Sequence, residues 1–498
     1  MKLKYLLSAA VIVTATGSLY AQKQAPEKLY TPQEQAYHRI SSNEIYDWVY
    51  EMSHPKYKGR LAGSPEYTQC AQWAALKFSA WGLQPGGDNG YYFQNFPVEY
   101  TDVTDAGTLC VHDGSGQRIF SVGRDYYPGT HTWGGSYKGG VIYAGFGLTA
   151  PEYGYDDYAG VDVKGKVVLI EPGVPCGKEQ KEYAGWSEKY SGTAAKMENA
   201  YEHGAAGVLL LGRASHPGIT YHENFIYAHI TDNVANRLLK QEGKTAAQLR
   251  EQVREQRAPH SFPVRGSELE MEFHSFHAPL SQTQNVIGYI PGSDPALKDA
   301  PVIIGAHLDH LGAPGILFPG ALDNASGSAI VMSVAQAFAG SGVKPVRPVV
   351  FILFGAEERG MTGSKFYIQN PLFPVDKTLC MFNLDMVGNG MSLRVGGVDS
   401  YPALKAKFAE KNSEKLARIL YTSPYEKASG RMYTDGEIFN YNGVPAFSVG
   451  VRDKLGKTFY HVPEDTIETM TPEIMEDVAK LLYLTLCDIC CDKKFKLK

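Results

Sequence analysis

Val302-Ile303-Ile304-Gly305-Ala306-His307-Leu308-Asp309-His310 is the stretch on which the fold turns. Five apolar or small residues, with no polar position among them, run straight into His, Asp and His. A strand without polar/apolar alternation is buried on both faces, as in a parallel sheet layered between helices. Val349 to Phe354 repeats the pattern and runs into Glu357-Glu358, and Met381 to Leu384 runs into Asp385. Between and after these runs the apolar spacing predicts helices at Ser326 to Ala339, Thr362 to Gln369, Tyr401 to Asn412, Asp435 to Tyr441 and Pro472 to Asp488. Strands separated by helices give an α/β class: a mixed, mostly parallel sheet covered by helices on both faces. Ligands of such sheets sit just beyond the carboxyl ends of the strands, where the acids and histidines collect.

Upstream, residues 32–52 and Pro65 to Trp81 read as helices, the second ending at Gly82, and Tyr91 to Tyr100 reads as a strand. The texture changes near Gly139. Short apolar strands at Val141 to Tyr143, Lys166 to Ile170 and Ala206 to Leu211 surround a helix at Ala194 to Gly204, and polar sequence follows from Gln241 to Glu270. A small β-rich unit, residues 136–268, thus interrupts a larger domain made of residues 22–135 and 269–498.

The chain has 498 residues, 44% hydrophobic and 20% charged, with a formal net charge of -5. Such a balance excludes a dedicated nucleic-acid binder, which carries a basic excess, and a mostly disordered or collagen-like chain. Lys2 and Lys4, the apolar run Leu6 to Val13 and a small residue at Ala21 predict a signal peptide over residues 1–21. The expected location is periplasmic or secreted. No other run is long and apolar enough for a stable membrane anchor. The cysteines are Cys70, Cys110, Cys176, Cys380, Cys487, Cys490 and Cys491, an odd number. The last three fall in an apolar helix and read as core or disulfide residues rather than half a zinc site. His203, His216, His222, His229 and His260, with His131 upstream, are scattered and read as structural or surface residues.

A hydrolytic metal site needs carboxylates and imidazoles, an open position and a general base. His307, Asp323, Glu358, Asp385 and His461 can supply the ligands and leave Glu357 as base. Asp309, two residues from His307, can accept its free N–H and fix the tautomer. A Ser-based hydrolase is disfavoured, because no Gly-x-Ser-x-Gly elbow occurs.

His307-x-Asp309-His310, Asp323-Asn324-Ala325-Ser326-Gly327, Glu357-Glu358, Asn383-Leu384-Asp385 and Tyr460-His461 with Asp465-Thr466 together resemble the M28 family of zinc metallopeptidases. Gly59-Arg60-Leu61-Ala62-Gly63-Ser64 resembles that family's opening segment. The resemblance implies two zinc ions per chain: one held by His307 and Asp385, the other by Glu358 and His461, with Asp323 bridging. It implies Glu357 as general base toward a metal-bridged water, an oxyanion-steadying role for Tyr460 and a cis peptide after Asp323. It implies an aminopeptidase acting on peptides with a free N-terminus. Residues 136–268 resemble a protease-associated (PA) domain, through Gly165 to Ile170, Lys196, Asn199 and Gly204 to Leu209, which implies a lid or a contact module. A carboxypeptidase, for which Arg431 and Arg452 are candidate carboxylate binders, a glutaminyl cyclase and a non-catalytic binding protein share the scaffold. Thr434-Asp435-Gly436 departs from the family's usual Ser/Thr-Asp-His, which leaves side-chain specificity open.

Overall fold

The computed structural model describes residues 30–212, 214, 218–427, 432–452 and 458–497. The expected signal peptide, His216 and Arg431 lie outside them. The larger sheet runs in the order Leu420–Thr422, Ser392–Gly396, Ala446–Arg452, Cys380–Leu384, Val302–His307, Val349–Phe354, Ser267–Ile290, Phe93–Asp113, Gly116–Ile119. Its centre is parallel: Val302–His307 pairs in parallel with both Val349–Phe354 and Cys380–Leu384, and the latter with Ala446–Arg452. Antiparallel strands flank this centre.

Both faces are covered, which explains the unalternating strands. Val302, Ile304, Ala306, Val349, Phe351 and Leu353 join a core with helices Ser42–Met52, Pro65–Ala80, Ser326–Gly340 and Pro472–Cys491. Ile303, Val350, Ile352 and Phe354 pack on the opposite face with Tyr367 and Phe439, from helices Thr362–Gln369 and Asp435–Tyr441. Each valine, leucine, isoleucine or phenylalanine among them contributes roughly 1.5–3 kcal/mol by leaving water. The N-terminal helical stretch is broken into Pro32–Arg39 and Ser42–Met52, because Ile40 takes extended backbone. All seven cysteines are free, and Cys380 and Cys490 are wholly buried in the same core. No described helix is long and apolar enough to cross a membrane.

The smaller sheet has the order Ser261–Pro263, Val141–Ala144, Val167–Ile170, Gly207–Leu211, Ile226–Ile230, Tyr126–Pro128. It takes in a strand ahead of residue 136. The polar stretch after Gln241 holds a helix, Ala246–Gln256, whose apolar stripe is narrow (Ala246, Leu249, Val253) and whose start is set by a capping box between Thr245 and Gln248. The strand expected at Tyr91 to Tyr100 is far longer, Phe93–Asp113, and pairs along most of its length with Ser267–Ile290. Register shifts bend this ribbon between Glu272 and Ser275 and between Ala278 and Ser281. Gly107 faces the first bend at φ +51, where a Cβ would lie 1.8 Å from the Glu272 carbonyl oxygen.

Candidate metal centre

The parallel strands Val302–His307, Val349–Phe354 and Cys380–Leu384 end at one edge, so the residues just past them meet there. His307 Nε2 lies 3.3 Å from Asp323 Oδ1 and 3.4 Å from Asp385 Oδ1. His461 Nε2 lies 3.1 Å from Glu358 Oε2 and 3.5 Å from Asp323 Oδ2. Asp323 therefore faces both groups, one oxygen to each. A zinc ion about 2.05 Å from two tetrahedral donors holds them roughly 3.3 Å apart. The donor set matches that spacing twice, and its imidazoles and carboxylates are the ligand types zinc takes. Asp323 Oδ2 and Asp385 Oδ1 are buried with no hydrogen-bond partner among the described residues. A carboxylate oxygen left so is costly unless a cation meets it.

The backbone around Asp323 is clamped from three sides. The Asp465 carboxylate accepts the N–H groups of Leu322, at 2.7 Å, and Asp323, at 3.0 Å. Asn324 donates through Nδ2 to the Leu384 carbonyl and accepts from the Gly327 N–H. The Asp323–Asn324 peptide is cis. Burial raises Glu357 well above the ordinary carboxylate range, and the negative charge of Glu358, Asp435 and Asp385 adds to this. Burial alone would lower His307, yet the carboxylates of Glu357, Asp323 and Asp385 hold it well above its usual value. This edge is a place where negative charge accumulates.

Asp309 does a different task from the one its spacing suggested. His307 Nδ1 meets the Asp309 carbonyl oxygen at 3.1 Å, whereas the carboxylate stands off at 3.8 Å. The Asp309 carboxylate instead accepts the backbone N–H groups of Glu357, at 3.0 Å, and Glu358, at 3.2 Å. It shapes the turn that carries both glutamates. Tyr460 stacks on the His461 ring, with centroids 3.7 Å apart. Gly436 is a packing requirement here: a Cβ would sit 2.9 Å from the Asn383 side chain. Arg452 lies over the Tyr421 ring, at 4.3 Å, between two strands at the far edge of the sheet.

Three groups in the site carry no role in the sequence reading. His310, quoted only as part of a motif, places Nδ1 3.0 Å from Glu358 Oε1. Arg359 bonds to Glu99 at 3.1 Å and to His131, joining the glutamate turn to the ribbon and the small unit. The small unit also reaches the site directly. His461 Nδ1 meets the Ala214 carbonyl oxygen at 3.3 Å, Ala214 packs with Leu311 and Phe318, and Tyr127 sets its ring edge-on to Phe318.

Residues 285–486 match the model of peptidase family M28, and residues 137–238 match the PA domain. The chain carries a family M28 peptidase domain. The chain is similar to Aminopeptidase YwaD of Bacillus subtilis, 24% identical over 356 residues, which is 68% of this chain and 66% of that protein. A shorter alignment, 37% identical over 106 residues, relates 21% of this chain to Leupeptin-inactivating enzyme 1 of Streptomyces exfoliatus and spans only 23% of that enzyme. The fold is that of Peptidase M28 precursor from Shewanella amazonensis SB2B, at a TM-score of 0.66 and 20% identity, covering 94% of this chain and 97% of that one.

Proposed function

We infer that the protein is an exported two-zinc aminopeptidase that removes N-terminal residues from peptides. The observation that carries this reading is the pair of matched donor spacings sharing Asp323. His307 and Asp385 would hold one zinc, Glu358 and His461 the other, and Asp323 both. Bound zinc supplies Lewis acidity, polarising a scissile carbonyl and lowering the pKa of water. Glu357, buried and raised in pKa, is the base: it takes a proton from the attacking water and returns it to the leaving amine. Asp309 fixes the turn that aims Glu357, and Asp465 fixes Asp323. Tyr460, stacked on His461, would donate its hydroxyl to a developing oxyanion. Lys2, Lys4, Leu6 to Val13 and Ala21 support export.

The test uses one peptide with a free N-terminus, its N-acetylated twin and a peptide starting with glutamine, with products read by mass. Stepwise loss from the free N-terminus alone, abolished by a chelator, is the expected result. Shortening from the other end would replace this reading with a carboxypeptidase, and loss of ammonia alone with a cyclase.

A further inference from the structure

The histidine that the motif carries without a task, His310, has no exposed surface. Its backbone N–H donates to the Arg60 carbonyl at 3.1 Å, and it forms a parallel bridge with Leu61. Arg60 is itself wholly buried and meets carbonyl oxygens. Nε donates to Leu308, Nη1 to Met52 and Pro319, and Nη2 to Gly320. One guanidinium therefore ties together both ends of the segment from 308 to 320. The fit leaves no slack. A Cβ at Gly59, where φ is +68, would lie 2.3 Å from the Gly312 carbonyl oxygen, and one at Gly320 would lie 2.6 Å from the His310 ring.

In this fixed pose His310 Nδ1 lies 3.0 Å from Glu358 Oε1, while Glu358 Oε2 faces His461 Nε2 at 3.1 Å. An ionised carboxylate only accepts, so Nδ1 carries the proton and has no lone pair for a metal. We propose that His310 is a positioning residue: its Nδ1–H holds one Glu358 oxygen and so presents the other, alone, to the second zinc. The opening motif Gly59-Arg60 is the frame that keeps the imidazole there. This rests on the two-zinc reading.

Zinc uptake by the full-length protein, measured in competition with a chromophoric chelator, tests the proposal without reference to turnover. In wild type two zinc ions bind. In His310→Ala one of the two weakens by about 10–100-fold while the other is unmoved. His310→Asn restores affinity to within about threefold, because its amide nitrogen takes the place of Nδ1, whereas His310→Gln, which extends toward the place of Nε2, behaves like alanine. Two zinc ions of unaltered affinity in His310→Ala overturn the proposal. So does a His310→Asn protein as weak as alanine, which would make the imidazole a ligand. Should His310→Ala fail to fold, the Asn and Gln variants decide. A wild type that takes up a single zinc sinks the two-zinc reading itself, a distinct result seen before any variant is made.

Discussion

Two buried clusters of acids lie at strand ends in this chain, and they are satisfied in opposite ways. In the PA unit Asp157 accepts from the N–H groups of Phe146 and Leu148 and from the Tyr155 hydroxyl. Lys196, equally buried, bonds to the Phe146 carbonyl oxygen, and its charge opposes that of Asp157. Glu171 pairs with Arg250 at 2.9 Å. Protein cations balance these acids. In the M28 domain, Asp323, Glu358 and Asp385 lie against imidazoles and each other. A buried charge must be paired, neutralised or metal-bound. The first cluster is held by the chain's own donors and cations. The second, in the function proposed above, would receive its cations from outside.

That contrast can be broken most forcefully at Glu357. Glu357→Gln should lower kcat by at least about 10³-fold with both zinc ions retained, as read by peptide turnover beside metal content; activity near wild type would remove Glu357 as the base. Asp323→Asn should leave both positions depleted of zinc by mass analysis, and a fully loaded variant would show that Asp323 is no bridge. Lys196→Met should do the reverse. Losing the Lys196 bond to the Phe146 carbonyl oxygen costs roughly 1–3 kcal/mol of stability in a denaturant melt, while zinc affinity stays at the wild-type value. Zinc loss there would mean that the two clusters are not independent.

The last effect is a matter of pH and is seen only on acidification. Burial depresses His229 to about 3. Between that value and the unfolded value of about 6.5, the unfolded chain binds a proton that the folded one refuses. Stability is therefore fully present above about pH 6.5 and falls on acidification through this window, by up to about 1.4 kcal/mol per unit. In the metal-free protein His229→Gln should flatten the dependence by that slope. An unchanged slope would show that His229 titrates normally.

The strand ends were legible because burial on both faces leaves an unmistakable run: Val302 to Ala306 and Val349 to Phe354 point at their acids without help. His461 was not legible in that way. It follows no strand, and only the order of motifs singled it out. The task of Asp309 could not be read from its spacing to His307, because its carboxylate serves a turn nearly fifty positions later in the chain. The same holds for His310, whose partner Glu358 is distant in sequence, and for Ala214, which reaches His461 only because the PA unit leans on the M28 domain. Sequence exposes what repeats locally. It hides contacts made across the fold.

The strand Ser267–Ile290 has a bearing on modularity. Its last residues pair with Val349–Phe354 inside the M28 sheet, while its first residues, Leu269, Met271 and Phe273, sit in the core of the PA unit. Both ends are also held by Phe93–Asp113. The inserted unit is thus carried on a double-stranded girder rather than on two flexible tethers. Trimming the chain to residues 285–486 would saw through that girder and bare an edge strand. The PA unit and the peptidase domain should be inherited, expressed and unfolded as one piece.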